Sequence, residues 1–433
     1  MKHAIDSSPF ITLEKGEPLA ALAAWSRQAR VDELLLVEFS LPCWWLEGGE
    51  LQALTAVYFR DQAGRLHCAV TDRALSSSAG VAGAQFNDWV RQHALAVFSP
   101  GQSLRLLPEH IPKPWGQEIW FTGVEARGVC RFTDGSGSVP IPWLQAIMPD
   151  AAAGAPGAPL VLLKILDPSP EEVVGDLYFE LHEEKREVYV VTHVDERAWP
   201  EGIGGIRYGF DREKISQAGD EATFRRQYLA AVEQYEAVRR QIDATPQGVP
   251  AEAGLLQRER ELRQAMNDFT SIRPLQVGDV VVVPLRMPHS LQHGVRTIEF
   301  QTPVYERQIL SFAQKVLTQD HWDTAAAVDT MRLTPPEQVD FERLPGDDSV
   351  LIERIVDFPD FEVRRLRIGE GASQVYSSNE CYALIMVVKG QLALDEGQLG
   401  PEQAALLPAG VVFHLASAEP AEPLVLLLAR PHR

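Results

Sequence analysis

Residues 175–191 read GDLYFELHEEKREVYVV, and residues 278–293 read GDVVVVPLRMPHSLQH. In the first stretch Leu177, Phe179 and Leu181 alternate with Tyr178, Glu180 and His182. Successive side chains of a strand point to opposite faces, so Glu180 and His182 share one face. Residues 188–191 are rich in valine and predict the next strand, entered by Glu187 across a tight turn at 183–186. In the second stretch the valine run 280–283 predicts a buried strand, and His289 follows Pro284 by five residues. A divalent metal needs three or four nitrogen or oxygen donors converging on one point. Two donors from one strand face, a third from across the turn and a fourth from a distant strand meet that need. The two stretches therefore predict one metal site built from Glu180, His182, Glu187 and His289. His293, four residues further on, is either a partner to that site or a loop histidine.

The surrounding chain reads as support. Residues 18–30 contain an Ala/Leu-rich helical stretch, 51–70 a strand, turn and strand, and 87–97 a short helix. Trp44-Trp45 predicts a buried aromatic cluster, with an exposed binding patch as the alternative. The small-residue run 151–159 is a surface loop, and the apolar run 160–166 has strand length. Residues 212–244 and 251–269 place apolar residues at helical spacing among charges, broken by TPQGVP at 245–250. They predict a helical hairpin inserted between strands. Residues 329–348, rich in proline and acids, read as a connection, and 349–433 as a last strand-rich unit.

The paired motifs resemble those of the cupin superfamily, with Gly175 ahead of the donor pair and the Gly278–Pro284–His289 spacing behind it. Glu180 stands where a histidine is usual, and Arg286 where a glycine is usual. More narrowly, the chain is similar to class I mannose-6-phosphate isomerases. The shared elements are Trp115-Gly116, the LLKILD strand at 162–167, Glu180-x-His182, Lys185-x-Glu187, Tyr208-Gly209 before a helical insertion, Gly278–His289, Glu299-x-Gln301 and Arg307. They run collinearly over about residues 112–330.

That resemblance implies a mainly β fold with α insertions, made of bicupin-type double-stranded β-helix barrels. It implies a mixed α/β N-terminal region (1–110) and a metal-binding cupin domain (111–330) with a helical insertion at about 211–270. A degenerate C-terminal cupin barrel (349–433) follows. Its second motif, Gly400…Pro408-Ala409-Gly410…His414, has no matching donor pair at 374–380. The implied activity is a metal-dependent aldose–ketose isomerisation of a sugar or sugar phosphate. The other classes are a different metallo-cupin enzyme, such as an iron-dependent oxygenase, and a non-catalytic carbohydrate-binding cupin. The resemblance implies zinc at Glu180, His182, Glu187 and His289. Two carboxylates with two imidazoles also admit Fe2+ or Mn2+.

Lys185 and Arg307 are the candidate catalytic residues, for proton transfer, charge stabilisation or phosphate contact. The plainer alternatives are a solvated turn lysine and a salt bridge from Arg307 to Glu306 or another acid. Glu183 and Glu184 follow His182 where the family carries proline and Asp or Asn, and these acids oppose a phosphorylated substrate.

The formal net charge of −20 over 433 residues argues against nucleic acid and anionic membrane as partners. There is no apolar run of the ~20 residues that span a bilayer. The first residues carry no apolar segment of a secretory signal. Cys43, Cys68, Cys130 and Cys381 are widely spaced and expected to be reduced thiols in a cytoplasmic protein.

Overall fold

The structure is a computed structural model that describes residues 11–28, 31–73, 75, 86–246, 249–337, 340–378, 380–395 and 397–432. The fold is mainly β with helices, and among the described strands no sheet closes on itself. The chain forms two compact units, one of residues 110–119 and 164–340, the other of residues 1–109, 120–163 and 341–433.

The unit that carries the two motifs is a stack of two sheets. One has six strands in the order Val280–Val283, Glu187–Val194, Val295–Gln301, Leu162–Pro168, Gly116–Trp120 and Glu109–Lys113. The other has five, in the order Thr270–Leu275, Gly204–Phe210, His289–Leu291, Phe179–Leu181 and Gln308–Ser311. Tyr189, Val191, Val281, Val283 and Leu166 from the first sheet pack on Ile206, Tyr208, Leu275, Leu291 and Ile309 from the second. This shared core sets the sheets face to face, as burial of one apolar face per sheet requires.

The predicted insertion is three helices, Arg212–Ala218, Glu221–Asp243 and Ala253–Asn267. Asp211 and Asp220 cap the first two by accepting from backbone N–H groups of Lys214 and Thr223. Phe224, Tyr228, Val232 and Tyr235 recur at helical spacing and form the buried stripe of the long helix. That stripe packs on Phe179, Leu181 and Phe210. Strand alternation then decides the rest: Phe179 and Leu181 face the helices, and Glu180 faces the space between the sheets.

In the other unit, Ile11–Lys15 runs parallel to Glu33–Pro42, followed by the antiparallel strands Leu51–Arg60 and Leu66–Thr71. The helices Pro18–Ser26 and Phe86–Gln92 match the two expected from the sequence. Trp44 and Trp45 do not form a buried cluster. They sit in the turn between two strands, edge-to-face with centroids 5.6 Å apart, and Trp44 is 36% exposed. A nine-stranded sheet joins distant parts of the chain, because Leu104–Leu107 pairs with Ala404–Leu407. A four-stranded sheet, with Ser373–Ser377 and Val412–Ser417 paired, covers its C-terminal part through a common core. His414 is exposed there, between the buried Phe413 and Leu415. All four cysteines are free thiols, three of them buried. Among the described residues no helix is long and apolar enough to cross a membrane.

Gly175, at the entry to the first motif, is required by close approach. A Cβ there would stand 1.8 Å from the Ser169 carbonyl oxygen and 2.8 Å from His293 Cβ. Both obstacles belong to the packed framework, so Gly175→Ala is expected to destabilise by about 1–3 kcal/mol, the usual cost of overpacking. Urea unfolding measures this; a loss under 0.5 kcal/mol (about a third of a tenfold change in K) would show that the segment yields freely.

Candidate metal centre

Glu180 and His289 are directly opposed residues of antiparallel strands, which places both side chains on one face. His182 follows Glu180 by two residues and joins that face. Donor atoms of Glu180, His182 and His289 all lie within 4.8 Å of one another. The two histidine rings are 5.3 Å apart, edge to face.

Each imidazole is aimed by its other nitrogen. His182 Nδ1 donates to the Glu306 carbonyl at 2.9 Å, and His289 Nδ1 donates to the Met287 carbonyl at 2.9 Å. A carbonyl only accepts, so Nδ1 carries the hydrogen and Nε2 faces inward. Apart from the neighbouring Glu187 carboxylate, His182 Nε2, His289 Nε2 and Glu180 Oε2 are buried and have no hydrogen-bond partner. Buried polar atoms rarely remain so. Three such atoms converging on one point, of the types that ligate a divalent cation, fit a metal ion.

Glu187 stands beside the histidines, its Oε2 3.0 Å from His289 Nε2 and its Oε1 3.5 Å from His182 Nε2. It is also held from behind. Lys185 Nζ lies 2.5 Å from Oε1, and the Tyr189 hydroxyl donates to Oε2 at 2.6 Å. Burial alone would raise the Glu187 carboxyl, but the Lys185 ammonium and then His182 hold it well below the usual range. Burial and the Lys185 charge push His182 down, so it stays neutral and available as a donor. Burial also works against a charged His289, but Glu187 and Glu180 outweigh it and raise its pKa.

Lys185 is therefore a buried ion-pair partner rather than a solvated turn lysine, with its side chain 9% exposed. Arg307 lies 4.5 Å over the Tyr178 ring and donates to Thr318 Oγ1 at 2.9 Å. Its Nη1 is 3.9 Å from Glu180 Oε2, so its acidic neighbour is Glu180. His293 is not part of the site. It pairs with Asp176 at 2.7 Å and stacks on Trp199 at 4.8 Å, fastening the loop after the strand.

The sequence reading missed a second layer of charge. Lys164 lies 3.3 Å from Glu299 and 3.9 Å from Glu118, which also pairs with Lys113 at 3.2 Å. Burial drives the Glu299 carboxyl well above its usual range; Lys164 opposes this and the Glu187 carboxylate adds to it. The signal was present in LLKILD, where one lysine interrupts an apolar strand. Beside the site, Glu183 and Glu184 accompany Glu306, whose carboxylate accepts from both their backbone N–H groups at 3.0 and 3.3 Å.

No protein-family model and no curated protein sequence matches the chain. Solved structures do. The mannose 6-phosphate isomerase from Bacillus subtilis superposes with a TM-score of 0.54 at 14% identity, covering 76% of this chain and 99% of that one. A phosphomannose isomerase structure from Salmonella typhimurium gives 0.54 at 12%, covering 77% and 100%. A zinc-bound mannose 6-phosphate isomerase gives 0.53 at 12%, covering 77% and 100%. The likeness is one of fold. It supports the cupin-like, β-rich framework expected from the paired motifs, at an identity too low to carry residue roles.

Proposed function

We propose that the protein is a metal-dependent aldose–ketose isomerase acting on a sugar. The observation that carries this reading is the set of three unpartnered buried donors, Glu180 Oε2, His182 Nε2 and His289 Nε2, converging on one point. Glu187 completes the ligand set. A bound divalent cation, zinc or alternatively Fe2+ or Mn2+, would supply Lewis-acid polarisation of the substrate's oxygens. The isomerase-like fold and the zinc-bound structure among its neighbours support the same reading.

The protein's own groups divide the remaining work. The Arg307 guanidinium, partly open to solvent beside Glu180, is assigned to stabilising negative charge on a substrate oxygen. Lys185 holds Glu187 in place and is the nearest ammonium that can move a proton. The carboxylates of Glu183, Glu184 and Glu306 favour a neutral sugar over a phosphorylated one. Repulsion between unit charges ~4 Å apart is worth roughly 4 kcal/mol at an effective dielectric of ~20. The three-part division of the chain, the double-barrel arrangement and a cytoplasmic location belong to the same proposal. The free cysteines support the last of these.

The test is an isomerisation assay with mannose and with mannose 6-phosphate, before and after chelation. Turnover is expected, faster with mannose, and lost on chelation. Glu180→Gln removes one negative charge from the donor set and is expected to keep the metal, with kcat at or above the parent's. Iron with substrate-dependent oxygen uptake would favour the oxygenase instead. Sugar binding without turnover in either protein would favour the binding module.

A further inference from the structure

Between the two C-terminal sheets lies a cavity of about 330 Å³. Leu344, Ile352, Leu366 and Leu428 form its apolar wall, and Arg364, Gln374, Tyr376 and Ser377 are its polar groups. On the strand Phe361–Ile368, alternation puts Glu362 and Arg364 on the same face as Leu366 and Ile368, which are core residues. Arg364 thus stands at the edge of that core, with its side chain 22% exposed. Register brings two more guanidiniums to the same end, since Arg364 opposes Arg354 and Glu362 opposes Arg430.

All three guanidiniums meet one buried carboxylate. Glu362 is 1% exposed and lies 3.2 Å from Arg354 Nε, 2.6 Å from Arg364 Nη2 and 2.5 Å from Arg430 Nε. Arg354 has two further acids, Glu342 at 2.9 Å and Asp357 at 3.0 Å. Arg364 and Arg430 have no other acid among the described residues. Two cations therefore share one anion, and the member that lines the cavity keeps unused donors. Arg364 Nε is buried without a hydrogen-bond partner. Tyr376, 9% exposed, lines the cavity beside it. A cavity in which a few polar groups converge against an apolar wall is the usual form of a small-molecule site. An incompletely used guanidinium at its end selects a carboxylate or phosphate.

We propose that this cavity is a second ligand site, distinct from the metal centre, for a small organic anion. The headgroup meets Arg364 and Tyr376, and the apolar body lies against Leu344, Ile352, Leu366 and Leu428.

The test is calorimetric titration of the full chain at fixed ionic strength with benzoate, phenyl phosphate and the neutral benzamide. At least one anion saturates at one site per chain, and the tighter of the two identifies the headgroup. Benzamide binds at least tenfold more weakly. Arg364→Met lowers anion affinity at least tenfold. Leu344→Trp does the same by filling the cavity, while leaving the Glu362 cluster intact, and decides the matter if the arginine variant does not fold. His289→Ala leaves anion binding unchanged. The proposal is overturned if neither anion saturates, if benzamide binds as tightly, if Leu344→Trp binds as the parent does, or if His289→Ala abolishes binding.

Discussion

His289→Ala is expected to reduce bound metal to below a tenth of the parent's content and to remove isomerase turnover. His289 supplies one of the three unpartnered donors that converge at this site, and its direction is fixed by the Met287 carbonyl. Alanine leaves Glu180 and His182 with Glu187, whose carboxylate is already shared with Lys185 and Tyr189. No neighbouring group can swing in, because the position is 2% exposed and enclosed by packed strands. Lewis-acid stabilisation of several kcal/mol corresponds to roughly 10³-fold in rate, so kcat/KM should fall at least that far. His293→Ala is the matched control. It removes a histidine four residues away that serves Asp176 and Trp199, and metal content should stay at the parent level. Elemental analysis of both variants separates the two roles; equal metal loss in both would mean that loop integrity, not ligation, governs binding.

Lys185→Met is expected to destabilise the chelated protein by about 3–5 kcal/mol, the range for removing one partner of a buried ion pair. The Lys185 and Glu187 side chains are 9% and 2% exposed, and their charged atoms are 2.5 Å apart. Without the ammonium, Glu187 is a buried carboxylate supported by Tyr189 and the two histidines alone. A cation bound at Glu187 replaces the missing charge. The metal-loaded variant should therefore lose clearly less stability than the chelated one, as linkage requires of anything that binds the folded state. Urea unfolding of parent and variant, each with and without metal, gives the four numbers needed. An equal loss with and without metal would remove Glu187 from the ligand set.

Local periodicity made the centre of this site readable. Glu180 and His182 share a face because strands have period 2, and the helical insertion announced itself through Phe224, Tyr228, Val232 and Tyr235. That the two motifs meet was expected; that Glu180 and His289 stand directly opposite on antiparallel strands was not. Long-range pairing was not readable. Nothing local in residues 104–107 says that they hydrogen-bond to 404–407, because register between distant strands leaves no periodic trace. The second charge layer was missed for a related reason. Lys164, Glu118 and Glu299 each look like an isolated charge on its own strand, and only sheet order makes them neighbours. Trp44-Trp45 failed differently: large aromatics predict burial, but a turn between two strands left no core for them to reach.

The most direct measurement is the metal stoichiometry of the purified chain after incubation with zinc and removal of the excess. The geometry of Glu180, His182, Glu187 and His289 predicts one ion per chain, lost from the His182→Ala and His289→Ala variants. Retention of less than a tenth of an ion per chain (below about a tenfold occupancy deficit), or full retention in both variants, would contradict it.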